Sequence, residues 1–239
     1  MFQGQFLNQA NQMMDTMLDF KELMMAYSCA IKEIRTKFEV LDTEFRVKNQ
    51  RNPIKSIHSR LKSNASIMEK MNRKGVQPTA ANVEATLNDV AGVRVVCSYV
   101  DDIYNIAEAF KKQSDITILT EKDYIKNPKD NGYRSLHLIS SVPVYFAEGA
   151  RDIKVEVQIR TIAMDYWASL EHQLRYKQDV ENEEAIASQL KQCADLIAYT
   201  DLIMQNTREQ IDRSKGNEIN PYMELFEKIK KLDSPLTDE

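Results

Sequence analysis

The chain has 239 residues, 43% hydrophobic and 28% charged, with a net charge of −4, which excludes disordered and collagen-like classes and fits a soluble globular protein. Its six glycines and six prolines are about 5% of residues against a usual ~12%, so long uninterrupted helices are expected. Neither G-x-x-x-x-G-K-[ST] nor G-x-G-x-x-G occurs, so any phosphate must be held by side chains and not by a glycine loop.

Cys29, Cys97 and Cys193 are an odd number at wide spacings with no C-x-x-C, which argues against a disulfide framework or a zinc site and for a reducing cytoplasm. The first 14 residues carry no charge, so the basic start of a signal peptide is missing. The longest later uncharged run, 135–147, has 13 residues and is too short to span a bilayer. No membrane partner is expected.

From Gln5 to Asn52 there is no glycine or proline, and Phe6, Ala10, Met13, Met17, Phe20, Met24, Tyr27, Ile31, Ile34, Phe38, Leu41 and Phe45 recur at steps of three and four, a helical apolar stripe. Its length exceeds one ordinary globular helix, so either two helices join near the middle or part of the stripe packs on another subunit. Between Arg46 and Lys74 nine Lys and Arg stand against the single acid Glu69, a local +8 that leaves −12 for the rest. Such a run is read either as a solvated face or as a local anion site. Asn52-Pro53 ends the helix. Arg60 and Lys62 then lie two apart on an extended approach, and Ser66, Lys70 and Arg73 share one face of a helix closed by Gly75 and Pro78.

Val93 to Val100 reads as a buried strand, with Asp101-Asp102 capping a helix from Ile103 to about Gln113. A short strand at 116–119 follows, then a loop at 120–132 carrying Lys122, Lys126 and Lys129 and the Asn131-Gly132 turn signal. Strands at 135–145 and 151–160 flank Glu148-Gly149 as an antiparallel hairpin. In the second, Ile153, Val155, Val157 and Ile159 alternate with Asp152, Lys154, Glu156, Gln158 and Arg160, one face for a core and one for chemistry. A helix to about residue 178 places Trp167, Leu170 and Leu174 in its stripe. A long helix at 183–213 places Ile186, Leu190, Cys193, Ile197 and Met204 in its stripe, with Gly216 as cap, and Asn220-Pro221 opens a last helix. The fold class is α/β (α+β): a mixed sheet of about five strands flanked by helices, with long helices at both ends. The division expected is 1–52 helical, 53–180 core and 181–239 C-terminal helices.

Two carboxylates stand apart from helix surfaces: Asp89 before the Val93 strand and Glu156 on the polar face of the Arg151 strand. Paired acids at sheet positions among surplus cations suit Mg²⁺ with a nucleotide polyphosphate. A turn cap and an exposed strand residue are the bland alternatives for the same two acids.

The ordered set Arg60-x-Lys62-x3-Ser66-x3-Lys70-x2-Arg73-Lys74, Asp89-Val-Ala-Gly-Val-Arg94, Lys129-x2-Gly132-Tyr133-Arg134-Ser135-x-His137, Val155-Glu156-Val-Gln158-Ile-Arg160-Thr161 and Trp167-Ala-x2-Glu171-His172 resembles the RelA/SpoT-type (p)ppGpp synthetases over residues 50–180. The resemblance implies a nucleotidyltransferase-like fold and transfer of pyrophosphate from ATP to the ribose 3′-OH of GDP or GTP, in stringent-response signalling. It implies that Arg60, Lys62, Ser66, Lys70, Arg73 and Arg94 bind ATP, with Arg60 and Arg94 sandwiching the adenine. Asp89 and Glu156 would be catalytic and hold Mg²⁺, with Glu156 as base. Lys129, Tyr133, His137, Gln158 and Asp165 would bind the acceptor, with Tyr133 stacking on guanine.

Arg94 has an alternative reading as a partner of Asp89, and His58 and His172 are read as structural. None of the three histidines precedes an Asp, so the hydrolase mark of the bifunctional members is missing and a small stand-alone synthetase is expected. Similar small proteins are tetramers, which implies a homo-oligomer. No DNA partner is expected. The competing readings are a nucleotide- or RNA-binding module without catalysis and a related nucleotidyltransferase with another acceptor.

Overall fold

The alternating stretch around Glu156 forms the central strand of a mixed five-stranded sheet. In the computed structural model, residues 2–49, 51–176 and 183–216 are described. The elements in chain order are α1 (Phe2–Asn49), β1 (Ile54–Leu61), α2 (Asn64–Arg73), α3 (Ala80–Thr86), β2 (Ala91–Cys97), α4 (Val100–Lys111), β3 (Thr117–Asp123), β4 (Leu136–Phe146), β5 (Gly149–Thr161), α5 (Ile162–Tyr176) and α6 (Glu183–Gly216). In the sheet order β1-β2-β5-β4-β3, the β2–β5 pair is parallel, and the other three pairs are antiparallel. The expected mixed sheet with helices at both ends is therefore observed.

One face of the sheet is the core. Val93 and Val95 of β2, Leu136 and Leu138 of β4, and Ile153, Val155, Val157 and Ile159 of β5 pack there against Tyr27, Ile34 and Phe38 of α1 and Ile103, Ile106 and Phe110 of α4. The rings of Phe38 and Phe110 stack at 4.7 Å. Each fully buried aliphatic or aromatic side chain stabilises by about 1.5–3 kcal/mol, so the strands' period of two commits their other face to polar residues.

α1 is one continuous helix, not two, as the lack of glycine and proline from Gln5 onward allows. Among its described side chains burial begins at Leu23, while Met13 and Met17 are 63% and 58% exposed. β1 was expected only as an extended approach. It is a sheet-edge strand whose side chains are mostly exposed, so it lacks the apolar alternation by which strands are read.

α4 begins earlier than expected, with Tyr99 as its N-cap. Asp101 and Asp102 fall inside the first turn, and Asp102 is buried against Arg51 instead of capping the helix. Burial raises the Asp102 carboxyl above its ordinary value, opposed by the charge of Arg51 and its hydrogen bond. β3 runs on to Asp123, taking Lys122 out of the expected loop and into the sheet.

On α5, Trp167 is buried, but Leu170 and Leu174 are exposed. On α6, Ala194 and Asp201 are buried where Cys193 and Met204 were expected. The seam between α6 and the rest of the protein is largely polar, which an apolar stripe cannot reveal. Trp167 Nε1 donates to the Leu190 carbonyl at 2.8 Å, Thr161 Oγ1 to Asp201 Oδ2 at 2.6 Å, and Gln205 Nε2 to Asp101 Oδ1 at 2.7 Å. α6 runs through Gly216, and the helix expected from Asn220-Pro221 lies outside the described residues. No described helix is long and apolar enough to cross a membrane.

Candidate active site

The polar face of the sheet carries the site. Register joins His58, Arg94, Gln158, His137 and Lys122 in one row across all five strands. Two residues along, Arg60, Gly92, Glu156, Ile139 and Thr120 form the next row on the same face.

Asp89 enters from the turn before β2, where its Oδ2 accepts from Lys62 Nζ at 3.0 Å and Lys70 Nζ at 2.7 Å. Lys62 is anchored by its own N–H to the Val90 carbonyl at 2.8 Å. Lys70 comes from α2, whose N-cap Ser63 accepts from the N–H of Ser66. Burial would raise the Asp89 carboxyl, but the hydrogen bonds and charges of Lys70 and Lys62 outweigh it and hold it below its ordinary value. The alternative pairing of Asp89 with Arg94 is not found, because Arg94 Nη1 donates to Asp165 Oδ1 at 2.8 Å.

Both oxygens of Glu156 are engaged. Gln158 Nε2 donates to Oε2 at 2.9 Å, and His137 Nδ1 lies 3.4 Å from Oε1. Burial pushes this carboxyl up. The hydrogen bond from His137, its charge when protonated, and the Gln158 amide together bring it below its ordinary value, against a smaller upward push from Asp89.

Tyr133 follows Gly132, whose φ of +87° and close approach to α6 suit glycine alone: a Cβ there would sit 2.5 Å from the Cβ of Ala194. The Tyr133 hydroxyl is 2.7 Å from His137 Nε2, and Lys129 Nζ lies 4.9 Å from the Tyr133 ring and 4.8 Å from that of Tyr124. Burial raises the Tyr133 phenol above its ordinary value, opposed by Arg160 and Ser135.

Two cavities meet over these residues. One, of about 340 Å³, is lined by Lys70, Lys74, Lys122, Tyr124, Lys129 and His137. The other, of about 490 Å³, is lined by Arg60, Lys62, Arg94, Tyr133, Gln158 and Arg160. Asp89 and Glu156 line both. Of the residues expected from sequence, Ser66, Arg73 and Asp165 line neither. Ser66 Oγ is 2.9 Å from Ser63 Oγ, Arg73 is an exposed side chain 3.9 Å from Glu69, and Asp165 pairs with Arg94 and Arg160.

His58 and His172, read as structural, line the larger cavity. Lys74, Lys122, Tyr124 and Arg160 were given no site role. Lys74 had an available signal, since it lies four residues after Lys70 and so shares its face of the α2 region. An arrangement in which two acids sit between a lysine-lined cavity and one flanked by planar guanidinium and phenol groups can hold two polyphosphorylated, base-bearing molecules with their reacting ends at the acids.

The region found in RelA/SpoT proteins matches residues 59–181 of this chain. GTP pyrophosphokinase YwaC of Bacillus subtilis is 40% identical over 196 residues, which cover 82% of this chain and 93% of that protein. Among solved structures, small alarmone synthetase 2 of Bacillus subtilis superposes with a TM-score of 0.73 at 41% identity, covering 80% of this chain and 99% of the other. Small alarmone synthetase 1 of the same organism, bound to its product pppGpp, matches with a TM-score of 0.73 at 32% identity, covering 80% and 97%. On this match of sequence, fold and motif order, the chain belongs to the RelA/SpoT family.

Proposed function

We propose that this protein makes (p)ppGpp by moving the pyrophosphoryl group of ATP to the 3′-hydroxyl of GDP or GTP, releasing AMP. The observation that carries this reading is that Asp89 and Glu156 are shared by both cavities. A protein that only bound nucleotides would gain nothing from two acids beside phosphates. The naming of YwaC as a GTP pyrophosphokinase and the pppGpp complex of its structural relative support the choice of substrates.

Arg60 and Arg94 offer planar faces to adenine, and Lys62 and Lys70 take the ATP phosphates. An ammonium has three donors, so each lysine can hold Asp89 and a phosphate oxygen together. Tyr133 stacks on guanine, and Lys129 beside it takes acceptor phosphates. Glu156 accepts the 3′-OH proton as that oxygen bonds to the β-phosphorus. The bond between the α–β bridging oxygen and the β-phosphorus breaks, and AMP departs with the bridging oxygen. Because Glu156 is held ionised by its neighbours, it is ready as a base at neutral pH.

A divalent cation, Mg²⁺ on this reading, fits the pair of acids. Asp89 Oδ1 is buried without a hydrogen-bond partner, and one or two carboxylates plus substrate phosphates are the usual setting of magnesium. No cluster of three or more metal-binding His, Cys, Asp or Glu occurs among the described residues, so phosphate and water would complete the shell. Bound there, the ion would offset charge on the phosphate oxygens.

Self-association goes with this reading. Met13, Met14, Met17 and Leu18 of α1 and Leu196, Tyr199, Leu202 and Ile203 of α6 are exposed, and apolar surface of this kind is what copies of a chain bury. The core at 53–180 would then carry catalysis, with the helices on either side serving assembly.

The test is product identity. Incubation with ATP, GDP and Mg²⁺ should release AMP, and not ADP, in step with a 3′-pyrophosphorylated guanosine nucleotide. Salt-sensitive, Mg²⁺-independent binding without AMP release would establish the non-catalytic alternative.

A further inference from the structure

Arg160 has no part in the chemistry above, yet its side chain is 8% exposed and unusually well connected. Its Nε donates to Ser135 Oγ at 3.3 Å, Nη1 to Asp165 Oδ1 at 3.2 Å, and Nη2 to both the Tyr133 hydroxyl and Gln158 Oε1 at 2.6 Å. The guanidinium carbon also lies 5.1 Å from the centre of the Tyr133 ring. These partners belong to the segment leading into β4, to β5 and to α5, so one side chain ties the acceptor residues Tyr133 and Gln158 to Asp165, which Arg94 holds independently at 2.8 Å.

A guanidinium can only donate, and that property propagates. Gln158 must turn its carbonyl oxygen to Arg160, which leaves its NH₂ facing Glu156 Oε2 at 2.9 Å. The Tyr133 hydroxyl accepts from Arg160 and lies 2.7 Å from His137 Nε2, while the other ring nitrogen of His137, Nδ1, faces Glu156 Oε1 at 3.4 Å. Both side chains aimed at Glu156 are therefore oriented by a single buried fork, Gln158 directly and His137 through Tyr133. Lysine cannot replace it, because one ammonium nitrogen cannot reach Asp165, Gln158, Tyr133 and Ser135 in the same plane.

We propose that Arg160 is the positioning residue of the acceptor side, orienting Tyr133 and Gln158 and, through them, His137 and Glu156. This rests on the synthetase reading above. It predicts that loss of the fork is felt by the acceptor and the chemical step far more than by ATP.

Arg160→Lys and Arg160→Gln should each raise the acceptor KM on the order of tenfold and lower kcat by at least as much, with the ATP KM within about twofold. In a Tyr133→Phe background, Arg160→Lys should cost the acceptor KM clearly less than in the wild type, since the shared hydroxyl is already gone. Additive effects, equal shifts in both KM values, or kinetics within twofold of wild type would overturn the assignment. Failure of both variants to melt cooperatively would also overturn it, in favour of a purely structural role. Wild-type protein that forms no product would defeat the synthetase reading instead. The positioning role would then be judged on equilibrium affinity for GDP against that for a non-hydrolysable ATP analogue, with the same split expected.

Discussion

Glu156→Gln separates binding from chemistry more cleanly than any other substitution in the site. The new side chain has the same shape and keeps one carbonyl oxygen, so it still accepts from Gln158 Nε2, which holds Glu156 Oε2 at 2.9 Å. The other position, opposite His137 Nδ1 at 3.4 Å, becomes an amide that can neither take a proton nor carry charge. Binding should change little, because Arg60, Arg94, Tyr133 and the lysines are untouched. Losing a positioned general base costs about 10²- to 10⁴-fold in rate, or about 3–5 kcal/mol in the barrier. Steady-state rates of AMP release with saturating ATP and GDP measure kcat, and calorimetric titration with GDP measures affinity. The expectation is a kcat at least a hundredfold lower with a GDP Kd within about threefold. A kcat within tenfold of wild type would refute the role of Glu156 as base, and a lost GDP affinity would refute the separation of roles.

Three further outcomes follow from particular contacts. Tyr133→Ala should weaken GDP binding by about 1–3 kcal/mol, the usual worth of a base stacked on an aromatic ring, with a smaller loss for ATP; equal losses for both nucleotides would remove Tyr133 from the acceptor side. Gly132→Ala combines a positive φ with a Cβ 2.5 Å from Ala194, so it should cost at least about 1–3 kcal/mol and lower Tm by several degrees in a scanning melt; an unchanged Tm would mean that the loop does not press on α6 as described. Asp89→Asn should lower stability at pH 7 by about 1–2 kcal/mol through its two lysine hydrogen bonds. Because the folded Asp89 carboxyl titrates below its ordinary value, its contribution is present above the unfolded value near ~4 and is lost as pH falls through the folded one. The Tm gap between variant and wild type should therefore close on acidification, and a gap that is constant from neutral to acid pH would contradict the contact.

Much of the site was legible because its information is local. The alternation in β5 sends Glu156 and Gln158 to one face whatever the rest of the chain does. The helical step of four from Ser66 to Lys70 placed that lysine on the α2 face nearest Asp89, although the same reasoning brought Arg73 along, and Arg73 points elsewhere. What escaped the sequence depends on non-local pairing. Nothing near Arg94 announces Asp165, 71 residues away, and only the register of five strands sets His58 and Lys122 in one row with Gln158. The seam of α6 escaped for a different reason. It is bonded through Asp201, Gln205 and backbone carbonyls, while its apolar residues largely face outward, so a hydrophobic stripe pointed to the wrong side.

The central claim is that the site formed by the two joined cavities holds two nucleotides with their reacting ends at Asp89 and Glu156 for pyrophosphoryl transfer. ATP labelled in its β- and γ-phosphates, incubated with unlabelled GDP, Mg²⁺ and the wild-type protein, tests it directly. The account predicts that both labels arrive together on the 3′ oxygen of the guanosine nucleotide, with one AMP released per product. Label confined to free phosphate or to the 5′ chain, or no transfer at all, would contradict it.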